Sequence, residues 1–242
     1  MVELATNTRP LVSIVIPVYN EEAILRAAVV DLIDRLNPLP WSYELIIAEN
    51  GSTDRTVDTS AELAERFAQI VCLHTDEPNY GKALRAGIEH ARGDIVICDE
   101  IDLCDTDFHE RALSVLQDES VDFVVGSKVM EGAMDERPFL RRLGTVVING
   151  ILRLTLGFKG TDTHGLKAFR RGPVQPIAAA CLVDRDLFAS ELVIRCERAG
   201  LDVREIPVRI LEKRPPTIGL ARRVPNVLKN LVRLIIAIRV KG

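Results

Sequence analysis

Hydrophobic positions along this chain switch repeatedly between the period of a strand and the period of a helix. Leu11 to Val18 (LVSIVIPV) is an apolar, β-branched run bounded by Pro10 and Tyr19-Asn20, which predicts a strand. From Glu21 to Leu36 the apolar residues recur at helical spacing (Ile24, Ala27/Ala28, Leu32, Leu36), with Asn20 or a neighbour placed to cap the helix. The break NPLPW ends that unit. A second strand, Tyr43 to Ala48, then runs through the polar turn ENGSTD into a helix over Thr53 to Phe67. A third cycle gives a strand over Gln69 to His74, a loop EPNYGKA and a helix over Ala83 to Ala91; a fourth strand opens at Asp94 and covers Ile95 to Cys98.

Beyond Asp105 the pattern predicts a helix over Phe108 to Leu116 and a strand over Val121 to Val125 that ends in Gly126-Ser127-Lys128. A longer amphipathic helix follows from Arg137 to Leu156, closed by Gly157. Thr161 to Arg171 (TDTHGLKAFRR) is polar and then β-like, and Leu187 to Gly200 is helical. Val203 to Leu211 alternates as a strand, in which Pro207 argues for an edge or a bulge. The last element, Pro225 to Val240, carries Val227/Leu228, Leu231, Leu234/Ile235 and Ile238 on one stripe with Lys229, Arg233 and Arg239 off it. That pattern suits a basic helix lying in a membrane surface, or a terminal helix packed on the domain.

Strands alternating with helices predict an α/β fold with a parallel sheet covered on both faces. Ligands of such sheets bind beyond the carboxyl ends of the strands. The loops PVYNE, AENGSTD, PNYGKA and DEIDL therefore line one crevice. The fourth loop is the most informative, because an apolar strand empties there into Asp99, Glu100, Asp102 and Asp105 with no basic residue among them. Such a group suits a hard divalent cation shared with a polyphosphate, while a solvated acidic turn capping the next helix is the plainer alternative.

A chain of 242 residues with 47% hydrophobic content can bury a full core. A net charge of −4 gives no reason to expect nucleic acid as a partner. The charge is uneven, however: after Glu212 come Lys213, Arg214, Arg222, Arg223, Lys229, Arg233, Arg239 and Lys241 without an acid, a tail fitted to an anionic surface. Cys72, Cys98, Cys104, Cys181 and Cys196 are odd in number and show no CxxC spacing, so neither a disulfide framework nor a zinc site is expected and a reducing cytoplasm is the simpler home. MVELATNTRP has no apolar core of a signal peptide, and no stretch approaches the roughly 18 to 20 apolar residues of a membrane span. Oligomeric state is open, and a homo-oligomer is compatible with the pattern.

Taken in order, IPVYNEE, ENGSTDRT, NYGKALRAG, ARGDIVICDEIDL, GSK and DTHGLKAFRR resemble the motifs of family 2 glycosyltransferases of the GT-A fold, a Rossmann-like nucleotide-diphospho-sugar transferase fold. Within that family the chain is most similar to polyprenyl-phosphate (dolichol-phosphate) mannosyl and glucosyl transferases. The resemblance implies a GT-A domain over 11–212 between an N-terminal arm (1–10) and a basic amphipathic tail (213–242). It also implies transfer of a hexose from a nucleotide-sugar of the GDP-mannose or UDP-glucose type to a polyprenyl phosphate, with Mg²⁺ or Mn²⁺, peripherally at the inner membrane face. Transfer to a soluble or glycan hydroxyl, and nucleotide-sugar binding without turnover, are the alternatives.

By the same resemblance Pro17, Tyr19, Asn20 and Glu21 contact base and ribose, although Asn20 and Glu21 also suit a helix start. Glu49, Asn50 and Ser52 hydrogen-bond the base and position the first loop, and Gly81 and Lys82 lie near the nucleotide. Asp102 binds the metal, with Glu100 or Asp99 as second carboxylate. Lys128, Arg141 or Arg142, and Arg170 hold the acceptor phosphate; Asp162 orients the acceptor or acts as base; Glu191 is a further base candidate and His164 a turn residue. The chain departs from the family in reading E-I-D for D-x-D, Glu49-Asn50 for paired aspartates, Lys128 for an arginine and Cys104 for a glutamine.

Overall fold

The computed structural model describes residues 12–136, 138–210 and 220–240; the expected N-terminal arm, Leu11, Arg137 and the start of the basic tail lie outside the described residues. Strands β1 (Val12–Val18), β2 (Tyr43–Asn50), β3 (Ile70–Thr75) and β4 (Ile95–Cys98) alternate with helices α1 (Leu25–Leu36), α2 (Thr56–Arg66) and α3 (Tyr80–His90). Next come α4 (Thr106–Val115), β5 (Phe123–Ser127), the short β6 (Met134–Asp135), α5 (Phe139–Leu156) and β7 (Lys167–Arg170). The chain continues through α6 (Arg171–Ala179), α7 (Phe188–Arg198), β8 (Val203–Pro207), β9 (Arg209–Ile210) and α8 (Leu220–Val240).

Seven strands form one sheet in the order β3-β2-β1-β4-β7-β5-β8, and β6 pairs with β9 apart from it. Its strands carry apolar side chains on both faces, as expected of a sheet covered twice. Val15, Ile46, Val96, Phe123 and Phe169 belong to one core layer, whereas Ile14, Ile16, Leu45, Ile47, Ile97 and Val124 belong to the other. Leu84 of α3, Leu192 of α7 and Leu234 of α8 close the first layer; Leu25 of α1, Leu63 of α2 and Phe108 of α4 close the second.

The sheet is mostly parallel, and its one antiparallel member is decisive for the site. β7 lies between β4 and β5 and runs against both, pairing Lys167 with Cys98 and Val125, and Arg170 with Ile95. The amino end of β7 therefore sits at the carboxyl ends of its neighbours. β8 is the outer strand, as Pro207 suggests, and the expected strand to Leu211 breaks at Val208, after which Arg209 and Ile210 join the second sheet.

Several boundaries differ from the periodic reading for local reasons. α1 starts at Leu25 with no side-chain cap, because Asn20 adopts a left-handed backbone (φ 53°) and Glu21 and Glu22 donate their N–H groups to Thr56 and Asp54. α3 starts earlier, at Tyr80, where Asn79 caps it by accepting from the Lys82 N–H. α6 was not expected from RGPVQPIAA, since Pro176 lies inside it. Pro173 falls in its first turn, where the missing N–H costs no intrahelical bond.

α8 packs on the domain. Leu231, Leu234, Ala237 and Ile238 are buried, so much of the stripe expected to enter a membrane surface is core instead. A different line of α8, Leu228, Val232, Ile236 and Val240, is exposed, as are Phe139, Leu143, Val146, Val147 and Leu154 of α5. The Arg239 Nε–H, donating to the Thr155 carbonyl at 2.8 Å, ties the two helices together. Among the described residues no helix is long and apolar enough to cross a membrane.

Candidate active site

The loops after β1, β2 and β3 are bound to one another at the carboxyl end of the sheet. The Asn20 N–H donates to Ser52 Oγ at 2.9 Å, and Asn20 Oδ1 accepts from the Thr53 N–H at 2.8 Å. Glu49 is buried; Oε1 accepts from the Ser52 N–H at 2.6 Å and Oε2 faces His74 Nδ1. Asn50 is buried too and accepts from the Asn79 N–H. These side chains shape the crevice wall by holding the loops in place. Tyr19 is exposed at its rim, and Pro17 is half-buried beside Ala48 of β2.

The third loop carries two of the residues expected near the nucleotide. A Cβ on Gly81 would lie 2.6 Å from the Arg185 backbone nitrogen, so this glycine lets the 185–188 segment pack closely against α3. Asn79 Oδ1 accepts from the Arg185 N–H in the same contact. Lys82 is exposed and pairs with Glu77 at 2.7 Å, which raises its pKa.

The fourth loop divides its acids between two duties. Asp99 is buried, and its carboxylate accepts from the Glu100 N–H at 2.7 Å and the Asp105 N–H at 3.0 Å and meets His109 Nε2 at 2.6 Å. Asp99 thus braces the loop from within, a use of its carboxylate that favours Glu100 over Asp99 as the second acid beside Asp102. Asp105 caps α4 by accepting from the Phe108 N–H at 3.0 Å. Arg35 adds a clamp through the Cys104 carbonyl at 2.8 Å, holding a residue whose φ is 45°.

Glu100 and Asp102 are the remaining pair, and both are partly exposed. Burial pushes the Glu100 carboxyl up, Lys128 opposes this, and Asp102 and Asp99 push it up again, leaving it raised. Two carboxylates that repel each other in this way fit a divalent cation. No group of three or more His, Cys, Asp or Glu among the described residues could hold one. A cation held by these two carboxylates would need further ligands from phosphate oxygens and water, the habit of Mg²⁺ and Mn²⁺.

Facing this pair, β5 and β7 deliver two lysines. Lys128 Nζ lies 3.8 Å from Asp162 Oδ2 and 3.4 Å from the His164 carbonyl. Asp162 is buried, and its carboxylate accepts from the His164 N–H at 2.9 Å and the Lys128 N–H at 3.3 Å. Burial raises the Asp162 pKa, but the Lys128 charge and these N–H donors outweigh it and hold the group below its usual 3.8. Lys167, which periodicity reads only as a strand residue, is buried with its Nζ 2.6 Å from the Gly165 carbonyl. Burial pulls its pKa down to about 8 against the attraction of Cys98, Asp162 and Glu100. The lysine within DTHGLKAFRR was the available signal for it.

Arg170 is not part of this group. At the far end of antiparallel β7 it donates to the carbonyls of Leu116 (2.6 Å), Val121 (2.9 Å) and Asp118 (3.3 Å), so it is a cross-link at the amino ends of the strands. Glu191 is likewise engaged in structural contacts. Its buried carboxylate accepts from the Leu182 and Val183 N–H groups and pairs with Arg195 at 2.7 Å. Arg141 belongs to α5, but its side chain lies outside the described residues, and Arg142 is exposed.

Comparison with known proteins now bears on this arrangement. The model of Glycosyl transferase family 2 matches residues 13–177. The chain belongs to this family. It is 29% identical over 234 residues to the glycosyltransferase AglD of Haloferax volcanii, covering 95% of this chain and 38% of AglD. It is 30% identical over 211 residues to an undecaprenyl-phosphate 4-deoxy-4-formamido-L-arabinose transferase of Edwardsiella ictaluri, covering 86% of this chain and 62% of that protein. It is 30% identical over 217 residues to the dolichyl-phosphate beta-glucosyltransferase ALG5D of Trichomonas vaginalis, covering 81% of this chain and 64% of that one. The chain therefore spans between about a third and two thirds of the length of these relatives.

The glucosyl-3-phosphoglycerate synthase of Mycobacterium tuberculosis, solved with Mn²⁺, uridine diphosphate and glucosyl-3-phosphoglycerate, superposes with a TM-score of 0.65. It is 21% identical and covers 94% of this chain and 79% of its own. At that identity the likeness establishes the fold, which is GT-A-like. The family and the fold expected from the motifs both hold.

Proposed function

We propose that this transferase moves a hexosyl group from a nucleotide-sugar to a polyprenyl phosphate at the surface of a membrane. The observation that carries the reading is the state of Asp162, buried beneath Lys128 with its pKa held low. A general base works best with a pKa near the operating pH, and Asp162 lies far below it. Glu191 is committed to backbone N–H groups. A hydroxyl acceptor needs a base, whereas a phosphomonoester, with its second pKa about 6, arrives ionised and needs cations. Lys128 and Lys167 supply positive charge where the acceptor would meet the donor.

Glu100 and Asp102 would hold Mg²⁺ or Mn²⁺ against the donor diphosphate. Bound there, the cation neutralises charge that develops on the leaving nucleoside diphosphate. An acceptor phosphate oxygen attacks C1 as the bond from C1 to the diphosphate oxygen breaks, and the electron pair leaves with the nucleotide. Displacement in line inverts the anomeric centre. Lys128, fixed in place by Asp162 beneath it, would hold the acceptor phosphate so that the attacking oxygen faces C1, and the loops tied together by Asn20, Ser52 and Glu49 would hold the base and ribose.

The membrane part of the reading rests on the exposed apolar lines of α5 and α8, flanked by exposed Arg142, Lys229 and Arg233. Apolar side chains rimmed by cations suit the boundary of an anionic leaflet, and this supports reading the enzyme as peripheral at the inner membrane face. The test is incubation with Mn²⁺, polyprenyl phosphate in anionic vesicles and a panel of radiolabelled sugar nucleotides. Label is expected in the organic phase for at least one donor. A complete absence of lipid-linked sugar, with label passing instead to soluble hydroxyl acceptors, would sink the proposal.

A further inference from the structure

Asp162 and Lys128 stand on different strand ends, and their opposition needs something to fix both segments. The structure contains such a device on the outer strand, away from the crevice. Glu205 of β8 directs its carboxylate at the turn before Asp162: Oε1 accepts from the Thr161 N–H at 2.6 Å and the Asp162 N–H at 3.0 Å, and Oε2 accepts from the Thr161 hydroxyl at 2.7 Å. With its proton given to Glu205, Thr161 Oγ1 accepts from the Ser127 hydroxyl 2.6 Å away. Ser127 Oγ in turn accepts from the Val129 and Met130 N–H groups, each at 3.2 Å, which closes the turn containing Lys128.

The approach is close enough to dictate a neighbour. A Cβ on Gly160 would lie 2.6 Å from Glu205 Oε1 and 2.8 Å from the Phe158 ring, so a side chain at 160 would displace one of them. The buried Asn149 of α5 completes the hold by donating to the Thr161 carbonyl at 2.6 Å. The N–H, hydroxyl and carbonyl of Thr161 are all engaged, leaving the segment one hydrogen-bonded position.

We infer that Glu205 is a positioning residue for the acceptor site, setting Asp162 directly and Lys128 through Thr161 and Ser127. The inference rests on the proposed acceptor role of Asp162 and Lys128. Glu205 itself touches neither substrate, and its effect falls on acceptor binding. A donor held by the loops after β1 to β4 does not feel it.

The experiment is steady-state transfer with a short-chain polyprenyl phosphate in detergent, varying donor and acceptor separately for Glu205→Ala, Glu205→Gln, Thr161→Val and Lys128→Ala. Glu205→Ala should raise the acceptor KM on the order of tenfold, as expected for a small misplacement of a binding group, with donor KM unchanged. Glu205→Gln retains an oxygen for both N–H donors and should restore most of the loss. A role only in stability lowers the active fraction, so a reduced kcat with both KM values unaltered overturns the inference. If Glu205→Ala does not fold, Thr161→Val carries the test, because it cuts the link to Ser127 and leaves Glu205 in place; an unchanged acceptor KM there also overturns it. If Lys128→Ala leaves the acceptor KM unaltered, the acceptor reading fails and takes the inference with it. If Lys128→Ala raises that KM and the Glu205 and Thr161 variants do not, the inference alone fails.

Discussion

Replacing Lys167 by methionine should make the protein less active and, near neutral pH, no less stable. The side chain is buried, so methionine fills a similar volume without the charge. The fall of the pKa from the usual 10.5 to about 8 measures what the fold imposes on the ammonium form. At 1.36 kcal/mol per pH unit, it corresponds to about 3 kcal/mol of lost stability below pH 8. Between about 8 and 10.5 the unfolded chain holds the proton and the folded one does not, so this penalty fades as pH rises through that window. Methionine removes the penalty at every pH, but leaves the Gly165 carbonyl without the lysine donor, which takes back about 1 to 3 kcal/mol.

Urea unfolding of both proteins at pH 7 and pH 10 isolates the effect. The variant is expected to match or exceed the wild type at pH 7, and the wild type should gain about 2 kcal/mol relative to it by pH 10. Transfer by the variant should fall on the order of 100-fold, the scale for losing a preorganised charge at a reacting phosphate. A variant that keeps full transfer activity, or a stability difference that does not change with pH, refutes the reasoning.

Asp102→Asn should lower transfer on the order of 100-fold or more and abolish the Mn²⁺ dependence of nucleotide binding, read by calorimetry with and without the ion. Arg170→Ala should lower unfolding stability by roughly 1 to 3 kcal/mol through its lost carbonyl contacts while leaving the acceptor KM alone; a raised KM would return Arg170 to the acceptor site. Glu191→Gln leaves Arg195 without its buried partner and should destabilise by roughly 3 kcal/mol with an unaltered pH profile of transfer. Because the Asp162 pKa is lowered, its favourable contribution to stability is present above 3.8 and lost only below it. The acid limb of the transfer rate should therefore fall near pH 6, about the second phosphate pKa of the acceptor; a limb near pH 4 would assign it to a carboxylate instead.

Much of this architecture is legible in local pattern. The runs LVSIVIPV, YELIIA and IVIC are apolar because their strands are buried on both faces, and the intervening helical spacing supplies the cover. Once those elements alternate, sheet topology alone gathers the loops at one end. The acids of DEIDLCD are equally visible as a group. Their division is not, because a carboxylate's duty depends on which N–H groups reach it. Asp99 finds His109 ten residues later and Asp105 finds its own helix, while Glu100 and Asp102 stay partly exposed.

Strand direction was likewise out of reach, since KAFR reads the same in either sense. Only its insertion between β4 and β5 puts Lys167 at the crevice and Arg170 at the opposite edge. The apolar stripe of α8 fits a membrane or a protein surface equally well by periodicity, and contact with the core draws in Leu231, Leu234 and Ile238. The sequence by itself thus determined most of the elements, the alternation of the first four strands with their helices and the chemistry present at the strand ends, because these follow from period and composition. The tertiary structure decided which groups face one another, because that depends on pairing between segments far apart in the chain.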